Sequence, residues 1–173
     1  MARADRPDPV EAILAQWRRE RPDVDVSPLA VFGRLHRSFL RYQDRISEVF
    51  DRYGITMAAF DVLAALRRSG PPYRRTAGEL AEITLVTSGG LTLRIDRLEA
   101  AGLVVRERDP ADRRVVHARL TKEGLALVDE VVEAHFANER EMLAGLTEPE
   151  RRRLSALLAK LERSLDQAAR AVP

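Results

Sequence analysis

Between Thr76 and Thr121 the chain carries a run of local signals whose order admits few folds. Thr76 and Glu79 have the spacing of a capping box, which starts a short helix through Leu80 and Ile83. The stretch TSGGLTLRIDRL at 87–98 then predicts a second helix, with Leu91, Ile95 and Leu98 at i, i+4 and i+7 facing inward. Gly102 ends it. LVVRERD and VVHARLT follow as two strands, and DPADRR between them has the Pro/Asp chemistry of a hairpin tip.

Helix, tight turn, helix and a two-stranded hairpin with a basic tip is the order of a winged helix-turn-helix. In such a module the second helix enters the major groove N-terminus first, so its leading residues meet base edges and phosphates. That gives Gly89 and Gly90 a reason, because a helix start without side chains brings backbone N–H groups close to DNA. Thr87, Ser88 and Thr92 add hydroxyls, and Arg97 a cation one turn further on. A plainer reading is equally open: glycines in a first turn cost little and need no partner. At the hairpin tip, Arg113 and Arg114 have the reach to enter a neighbouring minor groove. A solvated charge run is the alternative.

The flanks read as helices. Asp8 is placed as an N-cap with Pro9 at the first helical position and Glu11 completing a capping box, and Val10, Ile13, Leu14 and Trp17 follow at helical spacing. A long helix is expected from Pro28 to Tyr53, with Leu35, Phe39, Tyr42, Ile46, Val49 and Tyr53 on one face. Thr56 caps a third, with Phe60, Leu63 and Leu66 inward. From Thr121 another runs toward Gly145 through Leu125, Val128, Val132 and Phe136. Thr147 starts the last, whose stripe is Leu154, Leu157, Leu158, Leu161 and Leu165. The expected organisation is a single domain, mainly α with a small β-hairpin wing: an N-terminal helix at 8–20, scaffold helices at 28–70, the winged helix-turn-helix at 73–122 and C-terminal helices at 123–173.

Composition narrows the chemistry. With no cysteine, disulfides, thiolate metal sites and thiol catalysis are excluded. His36, His117 and His135 lack metal-ligand spacing, so packing or surface roles are expected, although His135 could lend the terminal-helix region a pH response. No metal and no cofactor is expected. No apolar run has the length of a membrane span and the start MARADRPDP has no apolar signal core, so a cytoplasmic protein without membrane partners is expected. The net charge of +2 is a weak argument for nucleic acid, but residues 73–122 hold ten basic and seven acidic side chains, more basic than the rest.

The stretch TAGELAEITLVTSGGLTLRIDRLEAAGLVVRERDPADRRVVHARLTKEG resembles the winged-helix core of the MarR family of bacterial transcription regulators. Its most specific pieces are Asp96-Arg97-Leu98-Glu99 followed by GLV, and Asp112-Arg113-Arg114 followed by Leu120-Thr121 and Gly124. The resemblance implies that Asp112 and Arg114 form the wing pair, with the arginine in the minor groove. It implies a homodimer held by terminal helices, here the Leu154 to Leu165 stripe with Val31 and Leu35, binding double-stranded operator DNA and releasing it on binding a small ligand. Packing of that stripe within one subunit fits its pattern equally well. Leu93 and Arg94 depart from many members, which carry a basic residue at the first position and an aliphatic one at the second.

The N-terminal extension with Trp17, GRLHR at 33–37, FDVLAALRRSGPPY and SGGLT resemble the branch that includes urate-responsive and plant-pathogen virulence regulators. That branch surrounds its ligand with a tryptophan, an aspartate and two arginines, which map here to Trp17, Asp61, Arg94 and Arg106. If Asp61 faces Arg94 and Arg106, a surplus positive charge favours a small anionic effector such as urate, bound by guanidinium and stacked on indole. A structural Asp61–Arg94 ion pair, with Trp17 fastening the first helix, is the other reading. The expected function is therefore a ligand-responsive, sequence-specific DNA-binding regulator, a repressor on a pseudo-palindromic operator. The alternatives are a sequence-independent architectural DNA binder and an enzyme using the winged helix only to dimerise. Against an enzyme, no phosphate loop, dinucleotide fingerprint or nucleophile with a base is visible.

Overall fold

Asp8 and Pro9 start the first helix as expected: the Asp8 carboxylate accepts the Val10 N–H at 2.9 Å, and α1 runs Pro9–Glu20. The computed structural model describes residues 8–84 and 90–171, in which the chain forms two compact units, Met1–Met57 and Ala58–Pro173.

In the first unit α1 packs on α2 (Leu29–Arg52), and the Val10 and Leu29 side chains close over Gly33. Only half of the α1 stripe is covered. Val10 and Leu14 are buried, whereas Ile13 and Trp17 lie on the outer side. Glu11 does not complete a capping box with Asp8; its carboxylate pairs with Arg18 at 3.1 Å and with Arg34 of α2 at 3.7 Å. Arg34 also bonds Asp8, so the start of α1 is tied to α2 by charge. In α2 the expected stripe is buried only at its C-terminal end, at Ile46 and Val49 with Phe50, while Val31, Phe32, Leu35, Phe39 and Leu40 are exposed.

Helix α3 (Met57–Arg68), in the second unit from Ala58 onward, is buried at every residue from Phe60 to Leu66. It is followed by β1 (Arg74–Thr76), α4 (Ala77–Ile83), α5 (Leu91–Ala100), β2 (Val104–Arg108), β3 (Val116–Leu120), α6 (Lys122–Met142) and α7 (Glu148–Ala171). The Thr76–Glu79 capping box forms in both directions, at 3.2 Å from the Glu79 N–H and 2.7 Å from the Thr76 N–H.

The expected hairpin of β2 and β3 is present, and β1 joins it as a third strand in the antiparallel order β1-β3-β2. Arg74, Arg75 and Thr76 stand opposite Arg119, Ala118 and His117. Across the hairpin, Arg106 stands opposite Ala118 and Glu107 opposite His117.

Thr121 caps α6 by accepting the Gly124 N–H at 2.9 Å, and its hydroxyl donates to the Gly102 carbonyl at 2.8 Å. Val128 and Val131 are buried in α6, but Phe136 is exposed, and His135 takes the inward place beside it with its ring 4.9 Å from Phe60. Arg67 of α3 holds Asp129 of α6 at 2.7 Å. Arg151 donates to the Leu143 and Leu146 carbonyls at 2.8 and 3.0 Å and closes the turn between α6 and α7. No residue of α7 from Glu148 to Arg170 is buried, and Leu154, Leu157, Leu158 and Leu165 are all exposed. No helix of the described residues is long and apolar enough to cross a membrane.

Candidate nucleic-acid interface

Helix α5 begins at Gly90, whose backbone lies in the left-handed region at φ 83°. A side chain there would meet no atom within 4 Å, so conformation, not crowding, requires glycine. Thr87, Ser88 and Gly89 lie outside the described residues. Leu91, Ile95 and Leu98 are buried as expected, which turns Thr92, Leu93, Asp96 and Arg97 outward.

The wing tip is built on two aspartates. Asp109 accepts the N–H groups of Ala111 at 2.8 Å and Asp112 at 3.2 Å, while its own N–H donates to the Val115 carbonyl at 2.9 Å. Those N–H donors hold its carboxyl below the ordinary carboxylate range. Asp112 in turn accepts from the Arg114 backbone N–H at 3.0 Å, from Nε at 3.2 Å and from Nη2 at 3.3 Å. The guanidinium holds the Asp112 carboxyl low as well. Arg114 is thus held both at its backbone N–H and at its guanidinium, yet its side chain is 92% exposed; Arg113 beside it is exposed too.

Behind the tip, one sheet face carries a charge network. Arg119 donates to Glu107 at 2.7 Å, and Asp109 faces His117 at 3.9 Å and Arg74 at 4.0 Å. Among the described residues His117 Nδ1 is buried without a hydrogen-bond partner.

The residues mapped to an effector site are distributed as follows. Trp17, in the first unit, is 49% exposed. Asp61, on α3 of the second unit, is 7% exposed. Arg94 on α5 and Arg106 on β2 are half-buried. Arg106 brings two unexpected partners: Nη2 lies 2.5 Å from Asp96 and Nη1 2.6 Å from Glu99. Asp96, and then Glu99, hold the guanidinium still more firmly protonated. The expected surplus of positive charge therefore meets two carboxylates at Arg106. Their i, i+3 spacing on α5 was visible in the sequence, but their meeting with a strand seven to ten residues later depends on how β2 folds back. Asp109, by contrast, opens the DPADRR turn expected at the hairpin tip. Among the described residues no cluster of His, Asp and Glu is placed to hold a metal ion.

A capped helix, a glycine-led helix turning polar residues outward and an arginine-tipped wing define a winged helix-turn-helix DNA-binding protein. The MarR family model matches residues 53–115. The chain is 42% identical to the HTH-type transcriptional regulator PecS of Dickeya dadantii over 90% of its own length and 94% of that regulator's. It belongs to the MarR family of transcriptional regulators.

Two solved structures are similar. Bordetella bronchiseptica BpsR, whose DNA binding is regulated by 6-hydroxynicotinic acid, is 31% identical with a TM-score of 0.68, over 76% of this chain and 92% of that one. A mutant MarR of E. coli complexed with operator DNA is 30% identical with a TM-score of 0.67, over 80% of this chain and 99% of that one.

Proposed function

We propose that the chain is a repressor that binds a pseudo-palindromic operator as a homodimer and is released by a small anionic ligand such as urate. The observation that carries the DNA reading is Arg114, almost wholly exposed yet held at its guanidinium by Asp112, on the same winged module as the exposed Thr92 and Arg97. An arginine held this way enters a minor groove with little ordering cost, while α5 lies in the adjacent major groove. Thr87, Ser88, Gly89, Gly90, Thr92 and Arg97 then meet the major groove and its phosphates, and Asp112, Arg113 and Arg114 the minor groove. The operator complex of E. coli MarR supports this reading.

Exposed leucines along α7, with Val31 and Leu35 exposed on α2, support a second copy of the chain as the partner of these faces. Trp17, Asp61, Arg94 and Arg106 are assigned to the effector. Arg94 lies on α5 itself, so an anion that pulls on it shifts the helix that reads DNA. The regulation of BpsR by 6-hydroxynicotinic acid supports a small aromatic acid as the ligand class.

Footprinting of DNA flanking the protein's own gene, with and without urate, tests the proposal. Two protected half-sites about one helical turn apart, lost on adding urate, are expected. Protection without a preferred site would remove the regulator reading; protection indifferent to urate would remove that effector.

A further inference from the structure

Arg106 is the point at which the wing is fastened to helix α5. Its side chain bridges Asp96 and Glu99, and Glu99 also accepts the Arg106 backbone N–H at 3.0 Å. One guanidinium between two carboxylates leaves a local charge of −1, so an anion approaching it is repelled unless a carboxylate gives way.

We propose that Asp96 and Glu99 are positioning residues that compete with the anionic effector for Arg106. The inference rests on the reading that Arg106 contacts that effector. While the two acids hold the guanidinium, β2 and α5 keep one fixed relation and the wing and reading helix address DNA together. An anion that takes Arg106 displaces the acids and frees α5 from β2. Occupancy of the effector site thereby becomes movement of the DNA-reading helix. Because such coupling is reciprocal, weakening the clamp must tighten the effector. A merely structural role for the two acids has no such consequence.

The test is calorimetric titration of urate into the full-length chain and into Asp96→Asn/Glu99→Gln, whose amides keep the shape and an oxygen acceptor but not the charge. Urate is expected to bind the variant about tenfold more tightly, within the roughly 5- to 150-fold span of coupled sites. Glu82→Gln/Glu107→Gln removes the same charge from residues that do not hold Arg106, and is expected to leave the affinity within about twofold of the parent. Should the double variant fail to fold, Asp96→Asn alone, at a half-exposed side chain, is expected to give part of the gain. Urate binding the parent with no gain in the variant, or with equal gain in the control, overturns the inference alone. Urate binding to neither parent nor variant overturns the effector reading and the inference with it.

Discussion

Gly124 of α6 lies against the backbone of Leu103 so closely that a β-carbon on it would sit 2.0 Å from the Leu103 carbonyl oxygen. The same carbonyl accepts the Thr121 N–H at 3.1 Å, so it cannot retreat without breaking the junction between wing and α6. Gly124→Ala should gain about 1 kcal/mol of helix propensity and lose more to overpacking against backbone, for a net loss of about 2 kcal/mol or more. Urea denaturation checks this; an unchanged midpoint would contradict it.

Gly90 needs its residue type for a different reason. Its left-handed backbone has room for a side chain but penalises one, so Gly90→Ala should cost about 1 to 2 kcal/mol and Gly90→Asn less, since asparagine tolerates that region. Thermal melts of the two variants should keep that order.

Arg114→Ala should leave stability within about 0.5 kcal/mol of the parent, because the side chain is almost wholly exposed. The same change should weaken binding to the flanking DNA and reduce the slope of log affinity against log salt by about 1 per subunit, or about 2 for the dimer. Fluorescence anisotropy at several salt concentrations measures both; an unaltered slope would place Arg114 off the DNA.

Asp109 gives the wing tip an acid limit. Its carboxyl is held below its ordinary value by the Ala111 and Asp112 N–H groups, so the stabilisation is full above about pH 4, the unfolded value, and is lost as pH falls through the lower folded value. Protection of the Ala111 and Asp112 amides, relative to the intrinsic exchange rate at each pH, should fall only below about pH 4 in the parent and be lost at neutral pH in Asp109→Ala, which has no side-chain acceptor. Protection that persists unchanged through that range would contradict the assignment.

Local chemistry made much of this fold readable. The Thr76–Glu79 box, the Thr121 cap and the Asp109-Pro110 tip each close within a few residues, and periodicity placed Leu91, Ile95 and Leu98 inward. Strand β1 escaped because Arg74-Arg75-Thr76 is too short to alternate and owes its pairing to β3, more than forty residues away. Periodicity also marks an apolar face without saying what covers it, which is why Ile13, Trp17 and the α7 leucines turn out exposed. At the candidate site, the Asp112–Arg114 pair came from the family resemblance and not from spacing alone; the grip of Asp96 and Glu99 on Arg106 is tertiary and came from neither.

Recognition of a particular DNA sequence by α5 and the wing is what separates a regulator from an architectural binder. Its most direct test is the affinity of the full-length chain for the duplex flanking its own gene against a base-shuffled duplex at the same salt. A preference of roughly 10³-fold or more is expected. Equal affinity for the two duplexes would contradict it.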